Sequence, residues 1–236
     1  MSTFDLERYR SPFVAGRAVQ IEAILPNGCE RDALELGCGP GYFTRMLRTR
    51  QWKPTCVDLE PEHLERAAEA AEMTLCGDAL AVIATLDEHR FGLVLALEII
   101  EHMPREAGEL LLTHAFRVLR PGGWLVLSTP NRWSLEGLAG YYIEEKLRGR
   151  ERWQAWDPTH QYVYSSGEML ALVRRAGFSV EAVRGYWYAT DLPRIGRVRL
   201  PLEASGRFPL NRLGFSLSLR ARKPAPKPSP QRSSCA

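Results

Sequence analysis

Short, nearly uninterrupted apolar runs recur along the chain at 33–37 (ALELG), 55–59 (TCVDL), 91–97 (FGLVLAL) and 124–128 (WLVLS). Runs of this length that do not alternate predict strands covered on both faces. Segments with helical character follow them. One spans 42–50, one spans 61–72 with Pro61 in its first turn, and one spans 105–119 with Leu111, Ala115, Val118 and Leu119 as its apolar positions. Residues 73–76 predict a further short strand. Strands alternating with helices predict a parallel α/β sheet.

Beyond Asn131 the pattern changes. Residues 132–164 are rich in Trp, Tyr, Gly and charge, and read as an insertion. Residues 165–176 predict a helix capped by Ser165 or Ser166, with Glu168 in its first turn. Residues 177–184 and 214–222 alternate as strands do, and a long stretch with Pro and Arg separates them. From Lys223 onward, closely spaced prolines and serines predict a disordered tail. The organisation expected is one domain over 1–222, a lid-like insertion over 132–164, and a basic tail over 223–236.

Composition narrows the class. Of 236 residues, 45% are hydrophobic and 25% charged, which is ordinary globular usage. The longest stretch without a charged residue, 121–131, has 11 positions, too few for a membrane-spanning helix. The first ten residues mix acids with arginines and have no apolar core, unlike a secretory signal. The net charge of +3 is uneven, because residues 220–236 carry five basic side chains and no acid. The body is therefore near neutral, and a nucleic-acid partner is not expected. The five cysteines are odd in number and lack any CxxC pair. That pattern disfavours a zinc ribbon or a disulfide framework, and fits reduced thiols in the cytoplasm.

The strongest chemical signal is Leu34-Glu35-Leu36-Gly37-Cys38-Gly39-Pro40-Gly41, at a strand end and opening a helix. Gly37, Gly39 and Gly41 allow a sharp turn and close approach of a ligand, and the helix start offers free N–H groups. The third glycine comes one position too early for a dinucleotide fingerprint, which disfavours a nicotinamide enzyme. An acid followed by GxGxG resembles the class I S-adenosylmethionine-dependent methyltransferases. The likeness continues in order over roughly residues 10–222. Asp58 stands where that family places the acid for the ribose hydroxyls. Cys76-Gly77-Asp78-Ala79 resembles the segment whose acid faces the adenine, and Leu119-Arg120-Pro121-Gly122-Gly123 the turn before the fifth strand. Gly92 departs from the family, which usually has an acid there. The resemblance implies a doubly wound, Rossmann-like, seven-stranded sheet whose last strand, near 215–222, runs antiparallel. It implies S-adenosylmethionine as cofactor, held by Glu35, Gly37, Gly39, Gly41, Asp58, Leu59, Asp78 and Leu97.

A second set of segments narrows the subgroup. Glu98-Ile99-Ile100-Glu101-His102, Ser128-Thr129-Pro130-Asn131-Arg132 and Asp157-Pro158-Thr159-His160 together resemble the UbiG-like O-methyltransferases of ubiquinone biosynthesis. Arg17 matches an arginine that in that family contacts the cofactor carboxylate, a role suited to an always-charged fork. On one helical turn Glu98, Glu101 and His102 would share a side. Joined by His160, they form a candidate site for magnesium or another divalent cation. The competing reading has Glu98 lining the cofactor pocket while Glu101 and His102 orient a loop. The sulfonium already activates the methyl group, so the protein has to position an acceptor and help remove its proton. Either a metal or an imidazole serves that purpose, which makes His102, His160 and Glu101 the candidate catalytic residues.

The expected function is methyl transfer to a hydroxyl of a small or lipid-like metabolite. The aromatic insertion serves either as an acceptor wall or as a small satellite core. Residues 184–212 carry arginines among aromatics and leucines. They read as a sheet edge, with peripheral docking on an anionic membrane surface as the alternative. The rival functions are an RNA 2′-O-methyltransferase using the ExxEH cluster, and a non-catalytic subunit that retains the cofactor pocket.

Overall fold

The computed structural model describes residues 12–26, 32–149, 154–155, 157–186, 190–192, 196–198 and 209–226. A seven-stranded sheet has the order β3-β2-β1-β4-β5-β9-β6. Its strands are β1 (Asp32–Leu36), β2 (Lys53–Asp58), β3 (Met73–Cys76), β4 (Phe91–Leu97), β5 (Leu119–Pro130), β6 (Ser179–Tyr186) and β9 (Ser216–Arg222). The first five run parallel, and β9 lies antiparallel between β5 and β6. A two-stranded hairpin, β7 (Thr190–Leu192) and β8 (Gly196–Val198), lies apart from this sheet.

The apolar runs are continuous because helices cover both faces. On one face α1 (Pro12–Ile24) and α2 (Tyr42–Thr49) bury Ile21, Ile24, Phe43 and Leu47 against Ala33, Leu93, Leu95 and Val126. Beside them α3 (Pro61–Ala67) packs Leu64 and Ala67 against Cys38 and Cys56. On the other face α4 (Ala79–Thr85), α5 (Arg105–Val118) and α7 (Ser166–Arg175) bury Ile83, Leu111 and Val173 against Leu34, Leu36, Val94 and Leu125. Odd and even positions of a strand point to opposite faces, so both sets must be apolar.

Most predicted elements stand. Ser165 caps α7 in a full capping box with Glu168. The expected helix 61–72 ends at Ala67, and the chain then turns so that Glu72 N–H reaches the Pro54 carbonyl. β5 is much longer than 124–128, because its start pairs with Phe91 and its end with β9. α1 and α4 were not predicted, since both are largely apolar and show no clear polar stripe. Within the insertion, α6 (Leu135–Gly140) runs into a π-helical segment, Tyr141–Leu147. Lys223 does not belong to a disordered tail. Its buried ammonium donates to the carbonyls of Phe116 and Leu119 at 2.7 and 2.8 Å, satisfying the end of α5. The rest of the tail from 227, together with Trp153, Trp156 and most of 187–208, lies outside the described residues. Among the described residues no helix is long and apolar enough to cross a membrane.

Candidate active site

The strand order reverses at β1 and β4, and in open α/β sheets ligands bind beyond the carboxyl ends of the strands at such a point. β1 delivers the glycine loop there. Gly37, Gly39 and Gly41 have φ of 66°, 52° and 81°, the left-handed region. Crowding adds to the requirement. A Cβ on Gly37 would lie 3.0 Å from Ile99 Cδ1, and one on Gly41 would lie 2.7 Å from Ala67 Cα. The loop therefore needs glycine both for its turn and for the approach of α3 and the segment after β4.

Asp58 ends β2 beside this loop. Its Oδ2 accepts from Gly39 N–H at 2.8 Å, and its Oδ1 accepts from Glu60 N–H at 3.0 Å, with His63 Nδ1 at 3.1 Å. The carboxylate thus laces the loop to β2 at the point expected for a ribose. Leu59 follows with 63% exposure, an apolar surface open to a flat ligand. Asp78 sits across from it, but one oxygen caps α4 by accepting from Ala81 N–H at 2.9 Å. Leu97 closes β4, half-buried against the α1 side.

Glu35 is placed differently from its expected role as a cofactor contact. It shares the face of Ala33, so its side chain lies under α2. There Thr44 Oγ1 donates to its carboxylate at 2.6 Å and Cys56 Sγ lies 3.9 Å away. Burial pushes its pKa well above the ordinary carboxylate value, and neighbouring Cys56 adds to this. Glu35 braces the loop from beneath.

The ExxEH segment divides into two sites. Glu98 has φ of 51°, so it falls outside the single 3₁₀ turn Ile100–His102. Its carboxylate pairs with Arg17 Nη2 at 3.1 Å, both side chains 13% exposed, and accepts from Ser216 Oγ at 3.3 Å. The expected one-sided cluster of Glu98, Glu101 and His102 does not form, because the left-handed residue turns Glu98 toward α1. Arg17 of α1 and Glu98, just past β4, therefore form an ion pair apart from Glu101 and His102.

Glu101, His102 and His160 do come together, with one ligand atom of each within 4.8 Å of the others. Glu101 is fully buried. Its Oε2 accepts from Thr129 Oγ1 at 3.0 Å, while buried Oε1 has no partner among the described residues. Desolvation by burial, then repulsion from Glu98, holds its pKa well above the ordinary range. His160 Nδ1 lies 2.8 Å from the carbonyl of Gln154. A carbonyl only accepts, so Nδ1 carries a proton, and in the neutral tautomer the lone pair lies on Nε2. The two imidazoles meet edge to face at 4.7 Å. Burial and the neighbouring His160 lower the His102 pKa, which favours its neutral ring. An unpartnered buried carboxylate oxygen facing two imidazoles fits the donor set of a divalent cation.

The sequence reading assigned no role to three residues here. Thr129 holds Glu101, and Asp157 and Thr159 stand beside His102. Each lay in a quoted segment, but only the fold joins those segments. Asn131, in the same segment as Thr129, is structural. Buried, it donates to the carbonyls of Arg212 and Gly214, and accepts from the N–H groups of Trp133 and Ser166. A groove of 580 Å³ lies at the foot of the insertion, lined by Arg132, Trp133, Glu145, Tyr162, Ser165 and Glu168. Backbone N–H groups of Gln161 and Tyr162 tie that insertion to the Glu101 carbonyl.

Comparison with known proteins places the chain in a family and matches its fold. The chain is 32% identical over 173 residues to a ubiquinone biosynthesis O-methyltransferase of Psychrobacter arcticus, covering 67% of this chain but only 63% of that protein. A protein of the same name from Xanthomonas axonopodis is 26% identical over 230 residues, covering 91% of this chain and 88% of that one. The crystal structure of a SAM-dependent methyltransferase from Archaeoglobus fulgidus superposes with a TM-score of 0.67 at 19% identity, covering 94% of this chain and all of that one. A sequence model of a family described as a methyltransferase domain matches residues 13–183, and with the sheet order and glycine loop above it shows that the chain belongs to the S-adenosylmethionine-dependent methyltransferases.

Proposed function

We propose that this protein transfers the methyl group of S-adenosylmethionine to a hydroxyl of a small or lipid-like acceptor, and that Glu101, His102 and His160 hold a divalent cation beside the reacting atoms. The observation that carries the proposal is the unpartnered, buried Glu101 Oε1 gathered with two imidazoles. Gly37, Gly39 and Gly41 let the donor approach the backbone. Asp58 offers the ribose a carboxylate already anchored by two N–H groups, and Leu59 offers the adenine an apolar face. Arg17 supplies the fork for the donor carboxylate.

A divalent cation held by Glu101, His102 and His160 would supply Lewis acidity and would lower the pKa of an acceptor hydroxyl. The chain positions that chemistry. Thr129 fixes Glu101, and the 132–164 insertion brings His160 to the carboxyl end of β4. The groove offers an acceptor the rings of Trp133 and Tyr162 together with the polar groups of Arg132, Glu145, Ser165 and Glu168. The relatives named for ubiquinone biosynthesis support a hydroxyl acceptor of that kind. Free thiols at Cys38, Cys56 and Cys76 support a cytoplasmic site of action. A second reading draws on the lowered pKa of His102, whose neutral ring is suited to act as general base without a metal.

The test follows S-adenosylhomocysteine release with a panel of phenolic and lipid-tailed acceptors. Chelation should stop turnover while cofactor binding persists, and magnesium or manganese should restore it. Full activity in excess chelator, with wild-type behaviour of Glu101→Gln, would defeat the cation reading and leave His102 as base. Tight cofactor binding without release on any acceptor would favour a non-catalytic subunit.

A further inference from the structure

We propose that Asp157 and Thr159 are positioning residues that set the tautomer of His102, keeping its proton on Nδ1 and its Nε2 lone pair toward Glu101 and His160. The inference rests on the reading of that trio as a cation site, but its chemistry is visible in the chain itself. Thr159 Oγ1 lies 2.6 Å from Asp157 Oδ1 and 3.0 Å from His102 Nδ1. The same Oδ1 accepts from the Thr159 N–H at 2.9 Å, so the two-residue turn is closed twice over. A contact as short as 2.6 Å between hydroxyl and carboxylate needs a proton between them. A threonine hydroxyl keeps its proton and a carboxylate oxygen accepts, so the proton between them belongs to Thr159.

The hydroxyl is then spent as a donor. What it presents to His102 is a lone pair, and only a protonated Nδ1 can meet that lone pair. Which ring nitrogen is free to act is decided by the bond the other one makes. The Gln154 carbonyl does the same for His160 through the backbone. Both rings are thereby held in matching tautomers, His160 by main chain and His102 by a side-chain relay to which the Thr159 backbone adds. The His102 backbone is fixed as well, its carbonyl accepting from Gln161 Nε2 at 2.9 Å. Asp157 Oδ2 lies 3.9 Å from His160 Nε2, which adds negative potential near both imidazoles.

Thr159 is exposed, so Thr159→Val removes the hydroxyl with little risk to folding. Thr159→Ser retains it. The first measurement is a long-range ¹H–¹⁵N correlation spectrum of metal-free protein labelled at its five histidines, at a pH where the rings are neutral. The His102 signals are assigned from their loss in His102→Gln. The wild type and Thr159→Ser should show His102 protonated on Nδ1, and Thr159→Val should shift it toward the Nε2-protonated form. An Nε2-protonated wild type, or an unchanged Thr159→Val spectrum, overturns the proposal. The second measurement is manganese binding by electron paramagnetic resonance. Thr159→Val should bind roughly 10- to 100-fold more weakly, the usual cost of losing an outer partner of a metal-ligating histidine, with S-adenosylhomocysteine affinity unchanged. Equal manganese affinity in wild type and Thr159→Val overturns the positioning role. If the tautomer shifts as expected but the wild type binds no manganese, the tautomer lock stands and the cation reading falls.

Discussion

Asp58→Ala acts on two things that can be measured separately. In the structure the carboxylate is the shared acceptor of Gly39 N–H, Glu60 N–H and His63 Nδ1. Removing it deletes the anion expected to receive the ribose hydroxyls. A hydrogen bond to a charged group contributes about 1.5–3 kcal/mol, so S-adenosylhomocysteine should bind roughly 10- to 150-fold more weakly. The same substitution leaves the backbone N–H groups of Gly39 and Glu60 without their acceptor. Each such loss costs about 1–3 kcal/mol when water cannot replace the partner. The loop borders the cleft, so partial replacement by water brings the expected total to about 2 kcal/mol of unfolding stability. Calorimetry with S-adenosylhomocysteine reads the first quantity, and urea unfolding without ligand reads the second. Unchanged affinity would remove Asp58 from the cofactor site. Weakened affinity with unchanged stability would show that the lacing of the loop carries no weight.

Gly41→Ala should destabilise the fold by about 2–5 kcal/mol, because a left-handed backbone and a 2.7 Å approach to Ala67 act together; a urea midpoint equal to wild type would refute the crowding. Asn131→Asp should cost about 3–5 kcal/mol by setting a buried charge against the carbonyls of Arg212 and Gly214, seen as a large fall in melting temperature at neutral pH that lessens in acid. Glu35 has a raised pKa in the folded state, so it binds its proton more tightly there than in the unfolded chain. Its contribution is therefore fully present below the unfolded value near 4.3 and is lost as pH rises through the folded value. Glu35→Gln keeps an acceptor for Thr44 and should flatten the decline of stability with pH; an unaltered pH profile from denaturation at several pH values would show that Glu35 is not the source. Chelation, described above, should separate turnover from cofactor binding.

The sequence by itself determined the parts whose cause is local. Short apolar runs bounded by polar residues read as strands covered on both faces, and the 91–97 run matches β4 residue for residue, whereas the apolar run 79–85 is a helix. Three glycines in five positions require a left-handed loop wherever the chain folds around them. Ser165 and Glu168 make a capping box at a spacing visible in the linear chain. The antiparallel β9 was legible only through family resemblance, since its place between β5 and β6 depends on pairings far apart in sequence.

Only the tertiary structure decided who meets whom. Glu98 and Glu101 are three residues apart, yet a single left-handed residue sends Glu98 to Arg17 on α1 and leaves Glu101 with Thr129 and the histidines. Glu35 preceded the glycines as a family ligand should, but strand alternation placed it beneath α2. Lys223 read as tail by composition, and became the cap of α5 because the end of β9 delivers it to two free carbonyls. The physical reason is common to all three. A side chain's role follows from which groups lack partners where the fold places it, and those groups come from elements that sequence separation keeps out of view.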